Sequence, residues 1–274
     1  MKKLLAAAAI VLIPATAAAQ QRPLVTEDPE VVSQGQILVE LGSDQTWGRR
    51  YQASGLEGTL LRLLTFGASI GVGVAEIQID GAFFQRLEIT ERFDAPLVDM
   101  LEFAGGRTTS VWDDVTVATK VRLMSEAAGR PALGLRFATK LPIASNERGL
   151  GLDTTDFYAS VLVAKTVRSL RIVGNGGIGI MGDATRGDRQ NDVLTYGRSL
   201  ARALTQAAEV VGEVSGRLHT SDGDAPPGTE SSAIMRGGLR FTKGRVRIDA
   251  GALVGILAED PKFGVTAGLT WVMN

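Results

Sequence analysis

The sequence predicts an all-β chain, a single antiparallel up-and-down transmembrane β-barrel of about 12 strands behind an export signal. Three observations carry that expectation. Short apolar runs alternate apolar and charged residues with period two, the connections between them alternate between tight and long, and the exported chain contains no cysteine.

The elements follow in chain order. Lys2 and Lys3 give a positive start, Leu4 to Ile13 an apolar run, and Ala17-Ala18-Ala19 the small residues a signal peptidase accepts. The run is well short of the roughly 20 apolar residues a spanning helix needs. Residues 1–20 therefore read as a signal peptide, residues 21–34 as a periplasmic N-terminal segment or plug, and residues 35–274 as the barrel. The formal net charge of −1 gives no reason to expect nucleic acid as partner. Glycine is frequent at 33 residues, which suits tight turns, whereas aromatics at 5% are scarce for the interfacial belts of a membrane barrel.

The clearest strand runs from Ala208 to Leu218. Val210, Gly212, Val214 and Leu218 share one face, and Glu209, Glu213 and Arg217 share the other. The same pattern places Arg245, Arg247 and Asp249 on a polar face, and likewise Arg136 with Lys140, and Asp114 with Lys120 and Arg122. Twelve such segments fall at 35–47, 57–69, 74–89, 109–123, 132–142, 155–166, 169–182, 191–204, 208–219, 231–242, 245–257 and 263–273. Connections after the second, sixth, eighth and tenth are tight; those after the third, fifth, seventh and ninth are long and polar. Tight turns at one end and long loops at the other are the arrangement of outer-membrane barrels.

A strand crosses hydrocarbon in about 9–11 residues, and a sheet in lipid satisfies its backbone only by closing on itself. The apolar face then meets lipid and the charged face lines the lumen. A soluble barrel would reverse the two faces. On the membrane reading Asp114, Lys120, Arg122, Arg136, Lys140, Glu209, Glu213, Arg217, Arg245, Arg247 and Asp249 line the lumen. There such groups set which solutes pass, or pair across a filled interior. About eight strands give a filled interior and sixteen or more an open channel, so twelve leaves both outcomes open.

Some stretches resemble a known family. Arg22-Pro23-Leu24-Val25-Thr26-Glu27-Asp28-Pro29 is similar to the opening of the barrel family named for the meta-pathway of phenol degradation. Thr139-Lys140-Leu141-Pro142, Gly149-Leu150-Gly151 and Thr154-Thr155-Asp156-Phe157 are similar to its middle segment. The resemblance implies an outer-membrane transporter, associated in some members with uptake of aromatic or hydrophobic compounds, and supplies no binding residues. Trp271-Val272-Met273-Asn274 departs from many such barrels in lacking a terminal aromatic.

The expected partners are therefore outer-membrane lipid and a small solute, with no cofactor or metal, and the expected function is a channel rather than an enzyme. The enzymatic alternative is a lipid hydrolase using His219 and Ser221, with Asp222, Asp224 or Glu230 orienting the ring. His219, the single histidine, continues the lumenal face of its strand, whereas a lipid hydrolase must present it to lipid. A structural barrel without conductance is the third possibility. The lone histidine and absent cysteine argue against zinc, and the acids of Asp183 to Asp192 lack the spacing of a calcium loop. Gly174-Asn175-Gly176-Gly177 reads as close packing within a strand. The segment before the first strand is read most simply as a tail, or as a plug whose Arg22, Glu27 and Asp28 pair with the wall.

Overall fold

The computed structural model describes residues 22–103 and 105–274. The signal peptide expected at residues 1–20, and Gln21 at the head of the next segment, lie outside the described residues.

Alternation builds the strands. They are β1 (Ile37–Tyr51), β2 (Leu56–Val72), β3 (Ala75–Arg92), β4 (Thr108–Val111), β5 (Val115–Met124), β6 (Ala132–Leu141) and β7 (Asp156–Val167). After these come β8 (Leu170–Gly182), β9 (Gln190–Ala203), β10 (Ala208–His219), β11 (Ser232–Lys243), β12 (Val246–Gly255) and β13 (Phe263–Met273). Around the wall each strand pairs antiparallel with the next, β3 going directly to β5, and β1 pairs with both β2 and β13, so the sheet closes. Twelve strands form the wall; β4 adds a short thirteenth beside the upper part of β3. Closure leaves the wall without an exposed edge, which gives a cysteine-free chain its stability.

The two faces point as a membrane barrel requires. On β10 and β11 the outward side chains Val210, Leu218 and Leu239 are 39%, 47% and 60% exposed. Glu213, on the opposite face, is buried at 4%. Aromatics mark both ends of the wall: Trp47 stacks on Phe263 at 5.6 Å near one end, and Trp271 and Phe241 face outward near the other. Turns 73–74, 168–169, 204–207 and 244–245 are tight, with φ of +65° at Gly73 and +63° at Gly244, the left-handed region that two-residue hairpins favour. Loops 93–107, 142–155, 183–189 and 220–231 are long and share the other end.

The fourth strand differs from expectation. Instead of one run over 109–123, Trp112-Asp113-Asp114 separates β4 from β5, both of which pair with β3. The reason is the pair of acids. Arg62 donates to the Asp113 carboxylate, and the Asp114 carboxylate accepts the N–H groups of Ile143 and Ala144, both at 2.9 Å. Successive residues of a strand face opposite sides, so both can turn inward only where the strand breaks. β2 and β3, at 17 and 18 residues, also outrun what lipid requires. At their loop end Leu56, Leu60, Leu87 and Ile89 form a small core with Leu150, beneath Leu101 and Phe103.

Candidate functional site: a charged lumen threaded by the N-terminal segment

Residues 22–33 do not form an external tail. Their partners come from strands all around the wall, which a segment can reach only from inside. Arg22 donates to Thr65 on β2 at 2.9 Å, and on β13 to Thr266 at 2.7 Å and the Ala267 carbonyl at 2.9 Å. It also lies 3.6 Å from Asp44 of β1 and from Asp249 of β12. The N–H groups of Val25 and Thr26 donate to the Glu213 carboxylate of β10 at 3.0 and 2.8 Å. Asn175 of β8 accepts from the Glu27 N–H and donates to the Glu27 carbonyl, both at 2.7 Å. The Val32 N–H donates to Glu76 of β3 at 2.8 Å.

Charge complementarity fixes the same path. Glu27 lies 2.9 Å from Arg136 and 3.3 Å from Lys120; Asp28 takes both arms of Arg171 at 2.7 and 2.8 Å; Glu30 lies 3.0 Å from Arg122. Three acids on the segment thus meet four cations on β5, β6 and β8. Bidentate guanidinium–carboxylate contacts of the Arg171 kind are among the stronger side-chain hydrogen bonds. The Lys120 side chain is fully buried, with Glu76 as second counter-ion at 3.4 Å.

Glycine makes the room. Gly42 and Gly268 face each other across β1 and β13. A Cβ added at either would come within 2.3 Å of the Arg22 guanidinium. Gly238 and Gly251, paired directly across β11 and β12, back onto Pro23, where an added Cβ would meet its ring at 2.8 and 3.2 Å. Gly197 lies under Thr26 and Gly134 under Pro29, at 2.8 and 3.1 Å.

Above the segment, toward the long loops, lies a cavity of about 560 Å³ with Asp44, Arg49, Tyr51, Arg62, Tyr158 and Arg217 in its lining. Most of its charges are neutralised across the wall. Arg62 pairs with Asp44 and Asp113, and Lys140 lies 3.3 and 3.0 Å from Asp114 and Asp156. Arg217 donates instead to the Glu230 and Gly228 carbonyls, at 2.7 and 3.1 Å, and Arg49 lies over the Tyr51 ring.

Of the residues assigned to the lumen from sequence, Lys120, Arg122, Arg136 and Glu213 hold the segment, and Asp249 approaches Arg22. Asp114, Lys140 and Arg217 line the cavity. Glu209 lies 3.9 Å from Arg240, and Arg247 donates to Thr242 at 3.3 Å. Arg245 falls in the turn before β12 and is exposed at the short-turn rim, where its carbonyl accepts the Val272 N–H at 3.0 Å. Arg171, Glu76, Asn175 and Asp44 were missed, although each continues the polar alternation of its strand; Arg62 was missed because the irregularity at Leu64, with φ of +50°, shifts the alternation between it and Thr65. Gly174 and Gly176 also differ from the expected close packing, for a Cβ added at either meets nothing within 4 Å. His219 has Asn191 at 2.8 Å on Nδ1 and the Gly223 carbonyl at 3.2 Å on Nε2. Ser221 is not among its partners, so the two are not assembled as base and nucleophile.

No protein-family model matches the chain, and no curated protein matches it in sequence. Solved structures do match in fold. An outer membrane channel from Pseudomonas putida F1 superposes with a TM-score of 0.62 at 12% identity, over 90% of this chain and 98% of that one. The NanC porin superposes with a TM-score of 0.53 at 10% identity, over 85% and 98%. The chain has the fold of outer-membrane β-barrels, the architecture of those channels and porins.

Proposed function

We propose that the protein is an outer-membrane channel for small polar or zwitterionic solutes, its lumen narrowed by residues 22–33. One observation carries the reading: an apolar exterior encloses an ionic interior, and a segment of the chain itself occupies the middle of that interior. Such an exterior is stable in lipid, and an interior of paired charges favours solutes that replace those pairings over apolar ones that cannot. The mixed signs give no strong preference for anions or cations. The cavity lining mixes its charged side chains with apolar ones such as Leu60, Phe66, Leu150 and Met181, so the aromatic cargo implied by the family resemblance stands as the second reading.

Planar-bilayer recordings test the proposal. The full chain should show small unit conductance, and deletion of residues 22–33 should raise it several-fold. Filling the track with Gly238→Val and Gly251→Val should do the same without shortening the chain. Equal conductance in all three proteins would refute a solute path blocked by this segment.

A further inference from the structure

The outer wall carries a cation that the channel reading leaves unused. On β9 Ser199 is buried on the lumenal face and a Cβ added at Gly197 would point there against Thr26, so Arg198 between them faces outward, where it is exposed. It sits five residues from Ala203 at the short-turn end and eight from Gln190 at the other. At about 3.3 Å per residue and a tilt near 40°, that is roughly 13 Å into the wall. Its neighbours across the sheet are Gly174 on β8 and Val214 on β10. No hydrogen bond or ion pair joins Arg198 to any described residue. A lone guanidinium facing lipid is stable only if it reaches an anion or the interface.

The surroundings suit one kind of anion. Arg202, four residues toward the short turns, is exposed on the same face. Beside Arg198 the wall drops to bare backbone: added Cβ atoms at Gly174 and Gly176 meet nothing within 4 Å, and at Gly212 only the Arg236 carbonyl at 3.6 Å. Ile178, Leu194 and Leu200 stand out beyond this trough, at 55%, 49% and 42% exposure. Outward acids such as Asp192 and Glu88 lie toward the long-loop end, so a second copy packed side by side offers no carboxylate at this depth.

We propose that Arg198 and Arg202 hold the phosphate of an anionic phospholipid of the periplasmic leaflet, one acyl chain lying in the Gly174–Gly176 trough. Guanidinium groups recognise phosphate oxygens in pairs, and the trough accepts a chain that a ridged wall would exclude. The site rests on the membrane reading of the barrel, and heat-modifiable gel migration of each variant checks that reading separately.

The test is native mass spectrometry of the full-length protein in detergent, titrated with phosphatidylglycerol. Wild type should retain one lipid. Arg198→Gln combined with Arg202→Gln should weaken retention at least tenfold, and Gly174→Leu should weaken it with both charges in place. Arg245→Gln, which alters an exposed turn, should leave it unchanged. Glycerol 3-phosphate, the headgroup fragment without chains, should bind wild type at least tenfold more weakly. Unaltered retention by the double variant overturns the proposal. Equal binding of glycerol 3-phosphate overturns the lipid as occupant, and a wild-type dimer abolished by Arg198→Gln assigns the arginine to a second copy instead.

Discussion

Lys120→Met tests whether the buried charge cluster holds the N-terminal segment in the barrel. The ammonium lies 3.3 Å from Glu27 and 3.4 Å from Glu76, with its side chain fully buried. At an effective dielectric of about 20 each contact is worth about 5 kcal/mol of Coulomb attraction, much of it offset by desolvation of the three ions. Removing one partner of a buried pair costs about 3–5 kcal/mol because a charge is left uncompensated. Glu27 keeps Arg136 at 2.9 Å, whereas Glu76 keeps only the Val32 N–H and the Gln78 amide, both at 2.8 Å. The lower figure, about 3 kcal/mol, therefore applies, a shift of about 100-fold toward the undocked segment. Hydrogen exchange at the Val32 amide reports that opening directly. Its exchange should accelerate about 100-fold in Lys120→Met, while amides in the β7–β8 ladder keep their protection. Adding Glu76→Gln should restore most of the protection by removing the stranded charge. Unchanged exchange at Val32 in a closed barrel would refute the argument, as would equal loss of protection throughout the wall.

Two further outcomes follow from the wall and its turns. Val161, 50% exposed midway along β7, should tolerate Arg poorly: a cation facing mid-membrane lipid costs about 2–4 kcal/mol. Urea unfolding of vesicle-inserted protein should show that loss, whereas a soluble barrel would register a surface substitution of within about 0.5 kcal/mol. Glu126, in the turn between β5 and β6, sits below its ordinary value of 4.5. Burial alone would raise it, but the Thr166 N–H at 2.9 Å and hydroxyl at 3.0 Å, with Lys165 and Arg171, hold the charged form. A depressed carboxylate contributes fully above its unfolded value and loses that contribution as pH falls through the folded one. Protection of the Thr166 amide, corrected for intrinsic rate, should thus decline as pH drops below about 4.5, and Glu126→Gln should remove the dependence.

The wall was legible because period two is a local signal that burial on one face enforces along every strand. Segments read at 132–142, 169–182 and 208–219 match β6, β8 and β10 to within a residue at each end. The break before β5 was not legible, since alternation continues from Val115 and nothing local says that Asp113 and Asp114 must both find partners inside. The extension of β1 to Tyr51 was missed for a related reason. It passes Gly48, whose φ of +66° marks the bulge where the alternation slips.

The path of the N-terminal segment is a different kind of information. Val25 meets Glu213, 188 residues away, and Arg22 meets Thr266, 244 away, so no window along the chain contains the contact. Nor does the segment repeat with period two or 3.6, because its backbone N–H groups bond to wall side chains instead of to a neighbouring strand. Yet the wall carries its imprint. A twelve-stranded lumen filled only by its own side chains has no use for small residues on its charged face, where volume is needed. Gly42, Gly134, Gly197, Gly238, Gly251 and Gly268 all fall on that face, in register with Glu40, Arg136, Ser199, Arg240, Asp249 and Thr270. Read against the alternation, these glycines mark where another stretch of chain must pass. The acids Glu27, Asp28 and Glu30, set opposite the surplus cations of the wall, identify which stretch it is.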